Sequence, residues 1–107
     1  MNYNPIHLPK ECNGMSDIRA EIDRIDHLVI ELLSTRFEYV KEASKFKKNT
    51  VDVQAKERFD SMLEQRKLWA NELGLDGNVI KELYANLVRY FIDQELKHFQ
   101  NREKLLR

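Results

Sequence analysis

Apolar residues recur along the first half of the chain at Ile18, Ile22, Ile25, Val29 and Leu32, then at Tyr39, Ala43 and Phe46. Steps of four and three sustained in this way lay one apolar stripe along an α-helix. Ser16 or Asn13 can cap its start, Asp17 and Glu21 put negative charge in its opening turns, and Lys41, Lys45, Lys47 and Lys48 complement the dipole at its far end. The pattern predicts one long helix over residues 14–48. Residues 49–54 are β-branched and polar, break the period and read as a loop. A second helix is expected over 55–73, with Phe59, Met62, Leu63 and Trp69 on one face and Leu73-Gly74 as its stop. A third, over 77–102, begins behind Asp76 as N-cap and carries the stripe Ile80, Leu83, Tyr84, Leu87, Val88, Phe91, Ile92, Leu96 and Phe99. The expected fold is all-α: an extended lead-in over 1–13, then a single helical domain over 14–107 whose three helices are long, short and long.

Composition strengthens the helical reading. The 107 residues include only 3 Gly and 2 Pro, where average usage of about 7% and 5% would give roughly twelve. Residues 15–73 and 78–107 contain neither, which excludes sandwiches, barrels and glycine-rich phosphate loops. A domain of this length buries a modest core, and neither common staple is on hand. Cys12 has no cysteine to pair with, and His7, His27 and His98 lack metal-ligand spacing. No apolar run reaches membrane-spanning length and the first fifteen residues carry no signal-peptide core, so a cytoplasmic location is expected. The 18 basic and 18 acidic residues cancel and are interspersed, which argues against nucleic acid or a membrane surface as partner. An anion site would have to be local.

Helix length supplies an argument for association. A helix over 14–48 would span roughly 50 Å, whereas a compact domain of this size has a radius of gyration near 13 Å. A second copy whose long helix packs antiparallel along the first would bury both stripes, so an intertwined homodimer is expected.

Charges stand where the stripes call for apolar residues. The first stripe should continue at position 36, which is Arg. At about 100° per residue Arg36 points within ~40° of Ile22, Ile25, Val29 and Leu32, and Lys47 returns to within ~20° of Arg36. On the third helix Glu95 lies ~20° from Val88 and Tyr84. Buried charges are costly unless paired or liganded. Three inward ionisable groups therefore point to an internal polar site, with a structural Arg36–Glu95 ion pair and a snorkelling Lys47 as the alternative. Arg36 and Lys47, ~16 Å apart along one helix, would leave between their side chains a gap suited to a small dianion. Arg19 sits ~25 Å from Arg36 along the same helix and cannot join that site in cis. If a two-fold axis crosses the helix near residue 30, Arg19 of a partner lands opposite residue 41, between Arg36 and Lys47.

The strings Gly14-x-x-Asp17-Ile18-Arg19, Ile22-Asp23-x-Ile25-Asp26, Tyr39-Val40-Lys41-x-Ala43-Ser44-x-Phe46-Lys47, Glu57-Arg58 and Gly74-Leu75-Asp76 resemble the all-α chorismate mutase family. Within it they are most similar to the isochorismate-pyruvate lyase branch of salicylate biosynthesis, from about Glu11 to Gln100. The resemblance implies an intertwined dimer with two equivalent sites, each binding a small dicarboxylate without any cofactor. It places Arg19 from the partner subunit, Arg36, Lys47 and Glu95 around the substrate, with Lys47 and Glu95 in catalytic positions. Glu95 departs from the lyase pattern, which has Gln there; protonated, it could donate a hydrogen bond as Gln does, whereas ionised it would repel an anion. In the aligned start of the second helix Val53 replaces an acid found in mutases, as in the lyase branch, and Lys56 takes the place of a mutase Arg. Residues 48–54 are the expected lid, and Val53, Lys56, Glu57 and Phe91 are secondary positions of the site.

The reactions implied are pericyclic, consistent with the lack of any nucleophile triad, carboxylate pair or metal cluster in the sequence. Two alternatives to lyase activity remain at this point: chorismate mutase as the main activity, and a non-catalytic helical dimerisation module.

Overall fold

The computed structural model describes residues 3–49 and 55–106. The expected loop over 49–54, Val53 included, lies almost wholly outside them. Among the described residues there are three α-helices: α1, Met15–Ala43; α2, Lys56–Glu72; and α3, Gly77–Leu106. Two short 3-10 turns, Pro9–Glu11 and Ser44–Phe46, complete it, and there is no strand among the described residues. Packing divides the chain into two units, Met1–Glu38 and Tyr39–Arg107.

The first unit joins the N-terminal segment to most of α1, and Glu21 is what joins them. One of its carboxylate oxygens accepts the backbone N–H groups of Ile6 and His7, both at 2.9 Å. The carboxylate also takes the Tyr3 hydroxyl and an ion pair from Arg24, one turn along the helix. Glu21, expected from sequence to put negative charge in the opening turns of the helix, is buried. The segment it holds turns through Pro9–Glu11, where Glu11 Oε1 accepts Leu8 N–H at 3.0 Å. Asp17 reaches back to accept Asn13 N–H at 2.9 Å, and Gly14 O receives the first helical bond of α1, from Ile18 N–H. Between the segment and the first turns of α1 runs a half-open apolar groove of about 560 Å³, lined by Tyr3, Leu8, Cys12, Ile18, Ile22 and Ile25. The stripe from Ile18 to Leu32 is 38 to 59% exposed.

The second unit is built on α2 packed along α3. Met62 and Leu63 meet Val88, with Phe59, Tyr84, Ala85 and Ile92 around them. Two residues expected in the core stand partly outside it: Leu83 is exposed on α3, and Trp69 is half-exposed under the Arg66 guanidinium, 4.7 Å from its ring centroid. The joint between the helices follows its sequence signals closely. Gly74 adopts a left-handed φ of 82°, Leu75 N–H reaches Ala70 O at 2.9 Å and Gly74 N–H reaches Asn71 O at 3.2 Å, a Schellman closure. Asp76 Oδ1 then accepts Asn78 N–H at 3.0 Å and caps α3. Asn71 Oδ1 takes Gly77 N–H at 2.9 Å, and a Cβ on Gly77 would meet that oxygen at 2.5 Å and Lys67 O at 2.7 Å.

One expectation about the first helix fails. The helix ends at Ala43, not at residue 48, and Lys47 follows a 3-10 turn with extended backbone, φ −89° and ψ 138°. Ser44 Oγ donates to Lys41 O at 2.7 Å, a local bond that competes with helix continuation. Arg102 of α3 supplies donors to both Ser44 O and Ser44 Oγ, tying the end of the helix to α3. Phe46, the last member of the expected stripe, is consequently 83% exposed.

Candidate active site

The site in the second unit is built on one face of α3. Val88, Phe91, Glu95, Phe99 and Arg102 follow one another at three- and four-residue steps, and the first four are buried. Glu95 is 6% exposed, and its Oε1 accepts no hydrogen bond from the described residues. Burial among apolar side chains pushes its carboxyl pKa above the ordinary value, and the nearby Lys47 ammonium opposes that rise without cancelling it. The structure thus brings Lys47 and Glu95 together in the second unit, although Lys47 arrives from the extended residue after the 3-10 turn and not along a helix face. Phe91, one turn before Glu95 on the same face, is buried.

The other expected residues stand elsewhere. Arg19 is exposed on the second turn of α1, and Arg36 is half-buried farther along it with Nη1 out of contact with solvent. Both belong to the first unit. Lys56 and Glu57 are exposed in the first turn of α2. Ser44, wholly buried, and Arg102 were not singled out by the sequence reading as site residues. Arg102 continues the Glu95–Phe99 face by a further three positions, and that spacing was the signal available.

An ammonium and a carboxyl whose protonation burial favours form, when that carboxyl holds its proton, two donors suited to an oxygen that gains negative charge during a reaction. Arg36 and Arg19 offer planar forks of the kind that pair bidentately with carboxylates. Nothing in this set is an activated nucleophile. Within the second unit, Lys47 and a protonated Glu95 suit an anionic oxygen.

The family model for chorismate mutase type II matches residues 18–96. The chain belongs to the chorismate mutase type II family. Its match begins one residue before Arg19 and closes one residue after Glu95, so the family region takes in Arg19, Arg36, Lys47, Val53, Lys56, Glu57, Phe91 and Glu95. Arg102 and the segment anchored by Glu21 lie outside it. The isochorismate pyruvate lyase of Pseudomonas aeruginosa is 39% identical over 92 residues, 86% of this chain and 91% of that protein. The T-protein of Haemophilus influenzae is 32% identical over 77 residues, 71% of this chain but 20% of that longer protein. An all-helical fold is what membership of the chorismate mutase type II family implies. No described helix is long and apolar enough to cross a membrane.

Proposed function

We propose that this protein is an isochorismate pyruvate-lyase, converting isochorismate to salicylate and pyruvate, with chorismate-to-prephenate rearrangement as a secondary activity. The observation that carries the proposal is the 39% identity to a lyase of that name over nearly the full length of both chains. In the lyase reaction the C–O bond to the enolpyruvyl group breaks as a ring hydrogen passes to the methylene carbon, in one pericyclic step. The substrate must be held compact, and its ether oxygen gains negative charge in the transition state. Arg36 and Arg19 of the partner subunit clamp the two carboxylates. Lys47 and protonated Glu95 donate to the ether oxygen.

The working unit on this reading is an antiparallel homodimer, acting in the cytoplasm on a small dicarboxylate with no nucleic acid or membrane partner. The apolar stripe on α1, half-exposed in one chain and continuous with the groove beneath the N-terminal segment, supports a second copy as its cover. On this reading the segment 48–54, most of which lies outside the described residues, would act as the lid.

Lys56, in the position of a mutase Arg, favours a second reading, in which chorismate rearrangement is the main activity. The purified protein supplied with each isomer separates the two. Salicylate fluorescence from isochorismate at a kcat/KM well above that for chorismate loss is expected. A preference for chorismate would assign the mutase activity instead, and turnover of neither isomer would remove both.

A further inference from the structure

Arg102 lies beyond the family match, and the site as assembled so far gives it no task. Its surroundings are nonetheless specific. The guanidinium lies over the Phe99 ring, 5.8 Å from the centroid. Nη2 donates to the Ser44 carbonyl and Nη1 to Ser44 Oγ at 3.3 Å. Ser44 is wholly buried, its hydroxyl is spent on Lys41 O, and its carbonyl also accepts the backbone N–H of Lys47 at 3.3 Å. A single carbonyl oxygen therefore joins the Arg102 guanidinium to the backbone of Lys47.

Helical geometry places Arg102 and Glu95 on one line. Seven residues apart, they point within about 20° of each other and lie ~10 Å apart along α3. One face of α3 thus carries both the carboxyl that senses the Lys47 charge and the guanidinium that fixes the turn bearing Lys47. A planar fork suits the second task better than an ammonium, because its two donors are held in a fixed relation. Lys47 stands on extended backbone directly after this turn, so the placement of the turn carries over to its backbone.

We propose that Arg102 is a positioning residue of the active site: by clamping the Ser44–Phe46 turn onto α3 it sets where the Lys47 ammonium stands relative to Glu95. The inference rests on the assignment of Lys47 to the site.

The test compares Arg102→Ala, Arg102→Lys, Lys47→Ala and the Arg102→Ala/Lys47→Ala pair, as purified full-length proteins turning over isochorismate well below their thermal midpoints. Arg102→Ala is expected to lower kcat by roughly tenfold to a hundredfold, the cost of misplacing a catalytic group by about 1 Å, with KM little changed. Arg102→Lys should recover part of the loss, and Arg102→Ala should cost nothing further once Lys47 is already Ala. A lower thermal midpoint with unchanged kcat would overturn the proposal, as would the same fold-loss in the presence and absence of Lys47. Should Arg102→Ala fail to fold, Arg102→Lys carries the same comparison, because it keeps a donor for Ser44 O and lacks the second for Oγ. Full activity in Lys47→Ala would instead remove the site assignment itself, a result distinct from an active-site Lys47 that is indifferent to Arg102.

Discussion

Burial raises the Glu95 pKa and the Lys47 charge lowers it, and burial is the larger effect. The folded protein therefore holds the proton more tightly than an exposed glutamate would, and the neutral form persists to higher pH. Neutral Glu95 can donate to the substrate's ether oxygen, whereas ionised Glu95 would oppose the charge developing there. The expected profile of kcat/KM is a plateau at low pH and a decline as pH rises through the raised Glu95 pKa. Glu95→Gln, which donates at every pH, should be flat across pH 5 to 8, measured by salicylate release. A wild-type profile that matches the Gln variant would remove the proton from the mechanism. Glu95→Ala should lose roughly a hundredfold in kcat at low pH, the usual cost of deleting one donor to a developing oxyanion. The inward direction of Glu95 was legible in the sequence because it interrupts an otherwise apolar row on a helix that runs straight through it. The direction of Lys47 was not. Its angle had been counted along a helix that Ser44 and Arg102 bring to an end four residues earlier, and a bond from a residue 58 positions away leaves no trace in local periodicity.

Helix boundaries fall where short-range chemistry is decisive. The α2–α3 joint was readable because each of its devices lies within a few residues: a left-handed Gly74, an Asp76 cap and a short connection. Gly77 adds a constraint that composition does not show, since its backbone passes against the Asn71 side chain and the Lys67 carbonyl. Alanine is the better helix former in isolation, yet a methyl group here has no room, and backbone at 2.7 Å cannot swing aside. Gly77→Ala should therefore destabilise the protein by about 1–3 kcal/mol, the usual range for overpacking, as a lower urea midpoint with unchanged slope. A midpoint equal to or above that of wild type would show that the joint opens freely. Glu21 failed to declare itself for the opposite reason. The sequence shows it as a negative charge in the opening turns of the helix, and the folded N-terminal segment supplies the donors that bury it.

An assembly with shared sites makes a demand that no single chain can meet. Arg19 and Lys47 of one chain would serve different sites, so Arg19→Ala and Lys47→Ala variants should each be nearly inactive alone. Unfolded together in equal amounts and refolded, half of the dimers would be mixed and each would hold one intact site, restoring about a quarter of wild-type activity. No recovery above the separate variants would show that Arg19 acts within its own chain or not at all. The half-exposed α1 stripe is the feature that makes such pairing physically reasonable, and its period was plain in the sequence, whereas a partner that would cover it leaves no mark in one chain's residues. The N-terminal segment makes the contrasting case. Every group that Glu21 collects lies within 18 positions of it, so the loop it closes is short. Closing a loop of that length costs little chain entropy and takes well under a microsecond, on the order of 10–100 ns for a ten-residue loop. A nascent chain exposed as far as Arg24 already contains every partner of this clasp, so the segment can settle against the start of α1 before α2 and α3 have been synthesised.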